Sequence, residues 1–594
     1  MAIKQSNLQI EIKKKRRETM KVKAQDSISA RELWRDMLQF LRQARLPYLL
    51  IVLATVIALA RSKIALLIPS YMQQFYAGDF STHIILLLIG TGILRYVISM
   101  VVDWINRLCA ARITRNIRKS LVSRLFRMPV AFYEKNTPKS LISRTTDDTT
   151  KMSAFVSTVV ADVISSVYGI AGVCALLFTY HWKLGTTMLL IIPVSITIFV
   201  LCGKLNFKVN FSVQGKLAEL TKSIMERVLR LRLIKASVNE QEEEANGGQD
   251  IEEFYRTKLK FGVATSGIST LDMFNQYFRQ VIVILVGFVL VRQEAIGADI
   301  FIAFYLFEEQ LCGYLVKLMN KWKEFKGCQG CVRRISHIFS EPEEALSGKA
   351  PQEDGQICFD QVCFCYDDKQ VLDHVSFRIP ERQLTAIVGR SGAGKSTILK
   401  LISAYYPVQS GEIRIGSQNI SALDKQQWRR SISYVSQEMQ LFSGTIRENL
   451  LYGITRAVSE SELQNALKTA CADQFIAAFP KGLEEQVGVN GANLSGGQSR
   501  RLMIAHALLK GTNLLLLDEI TANLDVESAR AINKAIRSIA AEKTVLMVSH
   551  DMKAVADADN ILVLDGGTVS PMGTHEDLMR TNDVYRQLQL AAGV

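Results

Sequence analysis

Residues 384–403 read LTAIVGRSGAGKSTILKLIS. A short apolar run gives way to a glycine-rich loop, and the loop opens directly into a helical pattern. This is G-x-x-x-x-G-K-S/T in the strand–loop–helix setting that the motif demands. Its glycines let consecutive backbone N–H groups curl around phosphate oxygens, and the helix N-terminus adds positive potential. The loop Gly389, Arg390, Ser391, Gly392, Ala393, Gly394, Lys395, Ser396 and Thr397 is therefore read as a phosphate-binding element. Lys395 can reach the β- and γ-phosphates, and Ser396 can ligate Mg²⁺.

Working outward toward the C-terminus, Leu514-Leu515-Leu516-Leu517 forms a second apolar strand that ends on Asp518 and Glu519. Ligands and catalytic groups gather at that edge of a parallel sheet. Asp518 suits the surroundings of Mg²⁺, and Glu519 suits polarisation of an attacking water. Between the two strands lies Leu-Ser-Gly-Gly-Gln at 494–498, just before the helical pattern SRRLMIAHALLK. Small residues at a helix N-terminus make a second phosphate-binding surface.

Working toward the N-terminus, the chain changes character. Its 594 residues are 48% hydrophobic, with mean hydropathy +0.13 and a formal charge of +14. That is too long for one ordinary module and too apolar for a disordered chain. The ten cysteines lack the spacing of a secreted disulfide framework. Residues 1–45 are polar and basic, with the run Lys13, Lys14, Lys15, Arg16, Arg17. Preceding a hydrophobic segment, such a tail reads as a contact with anionic headgroups rather than with nucleic acid. It has no apolar h-region and does not read as a cleaved signal peptide. Within it, Leu33, Trp34, Met37, Phe40 and Leu41 share a helical face, which predicts an interfacial helix lying on the membrane.

Six stretches are long enough to cross a bilayer: 46–76, 84–106, 156–180, 184–206, 268–291 and 300–322. The connections after the second and fourth are long and basic, with Arg112, Arg115, Arg118, Lys119, Arg124 and Arg127 in the first of them. Positive-inside bias puts those connections, both termini and everything after the last span in the cytoplasm. Residues 208–235 keep helical periodicity, so the helices are expected to continue ~30–40 Å beyond the bilayer. From residue 355 the pattern becomes short β runs, then alternating strands and helices. The organisation expected is a tail (1–45), a six-helix all-α transmembrane domain (46–340) and an α/β P-loop NTPase domain that binds nucleotide (341–594).

One phosphate loop, LSGGQ and LLLLDE on one chain resemble an ABC transporter, in particular the exporter-type half-transporters with six spans fused to one nucleotide-binding domain. The resemblance covers nearly the whole chain from residue 30. It implies ATP-driven transport with ATP and Mg²⁺ at the site, in a multi-pass protein of a bacterial plasma membrane. Tyr366 matches the aromatic that stacks on adenine, and Gln437 the glutamine that contacts Mg²⁺ and water. Asp525 matches the residue joining the two halves of the site, and His550 the histidine that contacts the γ-phosphate. Ser495, Gly496, Gly497 and Gln498 serve the phosphate loop of a partner, so one chain holds two half-sites and a dimer follows. A homodimer is the simplest assembly; a heterodimer with a degenerate partner is the alternative. Two segments depart from the family pattern: Val489 stands where glutamate is usual, and Lys139-Ser140 where small and acidic residues are usual. The resemblance leaves import of a metal chelate, or a sensor that transports nothing, as rival readings.

Ionisable residues inside spans point to a pathway, because they are costly unless paired or watered. Asp272, Asn275, Gln276 and Arg279 fall at i, i+3, i+4 and i+7 in the fifth span, one polar stripe. Glu308, Glu309 and Gln310 lie in the sixth, with Lys317 further in, and Arg61 and Lys63 in the first. Two readings compete: charges paired between helices for packing, and a hydrated cavity suited to a polar, peptidic or amphipathic cargo. Cys328 with Cys331, and Cys363 with Cys365, are two further pairs. A Zn²⁺ site built from both pairs is one reading; reduced, inert thiols are the preferred one.

Overall fold

The computed structural model describes residues 30–591, except 345, 353–354, 368, 437–438, 489–490, 523 and 525, and the side chains of 30–34, 207, 208 and 211. The basic run at 13–17, Gln437, Val489 and Asp525 therefore lie outside the described residues. The chain divides into two compact units, 30–126 with 138–341, and 127–137 with 342–591.

The first unit is helical. Its long elements are Tyr48–Tyr76, Thr82–Leu125, Thr149–Tyr180, Trp182–Leu229, Glu240–Arg292 and Ala298–Ser340. Five helical stretches here are long and apolar enough to cross a membrane by length and composition, and Ala298–Ser340 is not among them. The first five expected spans fall on these apolar stretches, and the sixth, 300–322, lies within Ala298–Ser340. Trp182–Leu229 runs 23 residues past position 206, about 35 Å at the α-helical rise. The links are short where the sequence placed them on the outer side, and Ser81 caps its helix by accepting from the Ile84 N–H. The core includes Val173, Leu177, Leu184, Met188, Val283, Leu290, Phe304 and Phe307.

The N-terminal helix Ala30–Ala44 packs against the helices Thr82–Leu125 and Ala298–Ser340. Met37, Phe40 and Ala44 are buried in protein, and the Ser336 hydroxyl lies 3.1 Å from both Asp36 Oδ1 and Gln39 Oε1.

The second unit is built on two sheets. Strands β1 (Ile357–Tyr366), β2 (Lys369–Ile379), β4 (Ser410–Ile415) and β5 (Gln418–Asn419) form an antiparallel sheet in the order β2-β1-β4-β5. The larger sheet uses β3 (Leu384–Gly389), β6 (Ile432–Ser436), β9 (Leu514–Asp518), β10 (Thr544–Val548), β11 (Asn560–Asp565) and β12 (Thr568–Val569). Its order is β12-β11-β3-β10-β9-β6, parallel except for the edge strand β12. The short pair β7 (Gly444–Thr445) and β8 (Gln486–Val487) stands apart. Every residue of β3 and β9 is buried, which is why both read as unbroken apolar runs rather than alternating ones. Helices cover both faces of this sheet, with one apolar core on each.

Candidate functional site

Strand order places the chemistry. β10 lies between β3 and β9, so three adjacent parallel strands end side by side. β3 runs into the phosphate loop, β9 ends at Asp518 followed by Glu519, and β10 is followed by Ser549 and His550. Residues far apart in sequence thus share the carboxyl edge of one sheet, the usual crevice for a ligand.

The loop has the backbone its glycines permit. Gly392 and Gly394 have φ of +79° and +105°, a region that costs other residues strain. A Cβ on Gly394 would lie 2.9 Å from Val371 Cγ1 and 3.2 Å from the Val371 carbonyl. Lys395 begins the helix Lys395–Ile402 and is buried; its Nζ donates to the carbonyls of Gly389 (2.9 Å) and Arg390 (3.2 Å). Burial lowers its pKa, with the charges of Glu519 and Asp518 opposing that shift. A buried ammonium held by carbonyl oxygens alone is suited to an incoming phosphate. Ala393 and Thr397 are buried, whereas Arg390, Ser391 and Gly392 form the exposed rim; Arg390 reaches Gln587 Oε1 at 3.3 Å.

Beside the loop, the Ser396 hydroxyl donates to Asp518 Oδ1 (2.9 Å) and the Tyr434 hydroxyl to Oδ2 (3.2 Å). Burial raises the Asp518 pKa, the two hydrogen bonds opposing it. A hydroxyl and a carboxylate in contact are hard oxygen donors of the kind Mg²⁺ takes, so the donor set fits that ion. Glu519 has φ +50°, its N–H donates to the Val548 carbonyl at 3.0 Å, and its Oε1 lies 3.0 Å from His550 Nε2. A left-handed glutamate at a strand end is strained, and such strain gathers at functional sites.

Tyr366 closes β1, half-buried, its ring edge-on to Phe364 (4.8 Å) and Tyr406 (5.2 Å). Tyr406 in turn hydrogen-bonds Glu134, which also accepts from Lys400 Nζ at 2.9 Å. Glu134 belongs to the short helix Val130–Lys135, and Lys135 pairs with Asp367 at 2.6 Å. The sequence reading placed 127–137 with the membrane helices; by packing they associate with the nucleotide-binding unit. Glu134, Tyr406 and Lys400 were missed, since nothing in the local pattern links position 134 to position 406.

Ser495 caps the helix Gly496–Leu509 in a reciprocal box: its hydroxyl accepts from Gln498 N–H, and its N–H donates to Gln498 Oε1 (2.9 Å). Gly497 is packed closely, since a Cβ there would lie 2.9 Å from Ser528 Oγ, while Gly496 is open. The backbone N–H groups of this turn are thus presented by a fixed cap.

In the helical unit the polar stripe divides. Arg279 and Glu308 form an ion pair at 3.1 Å, 6% and 2% exposed, and Arg279 Nη2 also reaches Cys312 Sγ at 2.7 Å. Asn275 is buried, whereas Asp272, Gln276 and Glu309 are exposed. One continuous polar stripe is therefore not what the fold presents: two of its four members are sequestered. Lys317 pairs with Asp162 at 2.6 Å, and Lys321 reaches the same carboxylate at 3.2 Å. Asp162 and Lys321 were also missed. Arg61 reaches Ser99 at 3.3 Å, and Lys63 is exposed.

A groove of about 940 Å³ opens between the helices Trp182–Leu229 and Ala298–Ser340. Phe199, Val200, Leu315, Leu318 and Trp322 line it together with Lys204, Lys323 and Lys326. Lys323 Nζ sits 4.5 Å over the Phe199 ring and Lys326 Nζ 5.3 Å over Trp322.

Cys328 and Cys331 are buried on the helix Ala298–Ser340, where Cys328 Sγ meets the Lys151 carbonyl at 3.8 Å; burial pushes its thiol up to about 11. Each engages its own helical unit, and the two-pair zinc reading has no support in these contacts. Cys363 instead meets Asp373 and His374.

Two family profiles match the chain. One, described as ABC transporter transmembrane region, covers residues 48–315, and the other, described as ABC transporter, covers 372–522. Among curated relatives, a multidrug resistance ABC transporter ATP-binding and permease protein of Lactococcus lactis subsp. cremoris is 26% identical over 557 residues, spanning 92% of this chain and 94% of its own length. ATP-dependent lipid A-core flippases of Haemophilus influenzae and Photobacterium profundum are each 30% identical, over 514 and 521 residues. Those matches span 84% and 86% of this chain and 86% and 88% of the respective relatives.

Proposed function

Since this chain belongs to the ABC transporter family as an exporter-type half-transporter, we propose that two copies of it clasp two ATP molecules and use their hydrolysis to export an amphipathic substrate. ATP-driven export agrees with the relatives, which are named for multidrug resistance and for moving a lipid A core. Import of a chelate and a non-transporting sensor are not favoured by any of them.

The observation that carries the reading is the convergence of Lys395, Ser396, Asp518, Glu519 and His550 at the ends of adjacent strands. Lys395 neutralises the β- and γ-phosphates. Ser396 and Asp518 would supply oxygens to hold Mg²⁺, which would neutralise phosphate charge there. Glu519 accepts the proton of the attacking water at a carboxylate oxygen, and His550 turns from Glu519 to the γ-phosphate. Tyr366 stacks on adenine. The cap formed by Ser495 and Gln498 presents the Gly496 and Gly497 N–H groups to the partner's nucleotide; by the family pattern Asp525 would join the two halves of the site and Gln437 would contact Mg²⁺ and water. Binding across two subunits favours the closed state, and hydrolysis removes that bias.

The helix Ala298–Ser340 is the sixth span in this reading, and the nucleotide-binding unit faces the cytoplasm of a bacterial cell. The groove lies at the inner ends of the fourth and sixth spans. A lining that combines apolar side chains with three lysines favours a substrate with an apolar body and an anionic end. The experiment is ATP turnover by Glu519→Gln in lipid nanodiscs. A fall of ~10²–10⁴ with nucleotide still retained is expected for loss of a general base. Turnover at the normal rate sinks the assignment.

A further inference from the structure

In the antiparallel sheet, β1 and β2 pair Phe364 with Leu372 and Val362 with Val375. Between those pairs, one residue on β1, Cys363, stands opposite two on β2, Asp373 and His374. This is a β-bulge, a device that re-aims side chains and is often retained beside functional sites. Here His374 takes the left-handed conformation, φ +47°, and its backbone N–H points at Cys363 Sγ, 3.2 Å away. Its ring Nδ1 lies 2.7 Å from Asp373 Oδ1. One ligand atom from each of Cys363, Asp373 and His374 lies within 4.8 Å of the other two, the one such group among the described residues.

We propose that Cys363, Asp373 and His374 form a binding site for a borderline divalent cation of the Zn²⁺ class, one per chain, with water as the fourth ligand. Thiolate, imidazole and carboxylate are the donors Zn²⁺ takes, at about 2.0–2.3 Å in tetrahedral geometry. Donors so spaced sit about 3.3–3.8 Å apart, so a separation within 4.8 Å closes by side-chain rotation alone. The His374 N–H aimed at sulfur stabilises the thiolate that the metal needs. On binding, the Cys363 thiol proton passes to buffer, while His374 ligates through a ring nitrogen that carries no proton. Three exposed or half-buried groups leave an open path for the ion and room for a water. Asp373 N–H also donates to the Gly567 carbonyl at 2.8 Å, which fixes the bulge from behind. The site shares no residue with the phosphate loop and does not rest on the transport reading.

The test uses the full chain in nanodiscs, free of nucleotide and chelating buffer, titrated with Co²⁺ as optical probe and then with Zn²⁺. A sulfur-to-cobalt charge-transfer band that saturates at one ion per chain and is displaced by Zn²⁺ is expected. Cys363→Ser should abolish the band while Cys365→Ser and the double variant C328S/C331S keep it. His374→Asn, chosen because Asn tolerates the left-handed conformation, should weaken binding by about tenfold or more. Each variant's Mg²⁺-supported ATP turnover, measured without Co²⁺ or Zn²⁺ and expected to be unchanged, reports that it has folded. No band, a band that survives Cys363→Ser, or one lost in C328S/C331S overturns the proposal.

Discussion

The Arg279–Glu308 pair decides between packing and pathway as the reason for charge inside the membrane unit. At 3.1 Å and an effective dielectric of ~20, the attraction is about 5 kcal/mol. Withdrawing both ions from water offsets most of it, so the net worth of the intact pair is small. Removing one partner is a different matter. Glu308 is 2% exposed, and Arg279→Met leaves its carboxyl buried beside Phe304, Phe307 and Leu311, a cost of ~3–5 kcal/mol. Glu308→Leu strands the guanidinium with only Cys312 Sγ as a partner and costs about the same. The double variant removes both charges and should come within about 1 kcal/mol of the parent. SDS-induced unfolding of the purified chain in bicelles gives the three free energies, and the cycle gives a coupling of at least ~2 kcal/mol. If each single change costs under about 1 kcal/mol and the two add, the pair is not held as described and its charges are watered. Substrate-stimulated ATP turnover in the stable double variant then separates the roles: a packing pair leaves it intact, whereas a pathway pair does not.

Glu134 gives a prediction with a pH signature. Burial alone would raise its pKa, but hydrogen bonds from Tyr406 and Lys400 prevail and hold it below the usual carboxylate range. Its contacts are therefore intact above the ordinary glutamate pKa of ~4.3 and are lost as pH falls through the depressed value. Glu134→Gln should keep basal ATP turnover and lower substrate stimulation, with an effect of order 1 kcal/mol because the carboxylate is partly exposed; unchanged stimulation refutes a coupling role. Asp518→Asn should raise the Mg²⁺ concentration needed for half-maximal turnover at least tenfold, leaving metal-free nucleotide binding, followed with a fluorescent analogue, unaltered. Replacing Lys204, Lys323 and Lys326 together by Gln should abolish stimulation by anionic amphiphiles and spare that by neutral ones. Equal loss for both classes would discard the anionic-end reading.

Much of the nucleotide site was legible because its signals are local. A parallel strand buried on both faces is apolar throughout, a glycine loop must follow it, and a helix must open from that loop; residues 384–403 state all three in order. Long helices were legible for the same reason. What escaped depends on which strands and helices become neighbours. Glu134 against Tyr406, Asp162 between Lys317 and Lys321, and Cys363 against Asp373 and His374 each need a register or a packing that no window of sequence contains. The bulge is the sharpest case. Cys363 and Cys365 sit two apart on one strand and read as a pair, yet one residue inserted in β2 gives Cys363 different partners.

Neighbouring helices also bear on Ala298–Ser340, which composition alone does not mark as able to cross a membrane. A hydropathy window counts Glu308, Glu309 and Lys317 as separate costs, each assessed as though it faced lipid. In the fold, Glu308 is neutralised by Arg279 and Lys317 by Asp162, so two of those three costs are shared with charges on neighbouring helices. An ion with its counter-ion at hydrogen-bond distance has lost most of the field that makes hydrocarbon hostile to it. The unpaired member, Glu309, is exposed. A helix of this kind is stable across a bilayer only once its neighbours are in place, so in the proposed reading with 300–322 as a sixth span its insertion depends on Arg279 and Asp162. Arg279→Met and Asp162→Asn should therefore each lower the fraction of Ala298–Ser340 protected from a membrane-impermeant cysteine reagent placed at its mid-helix positions. Full protection in both variants would mean that the helix inserts on its own hydrophobicity and that the pairing is incidental to it.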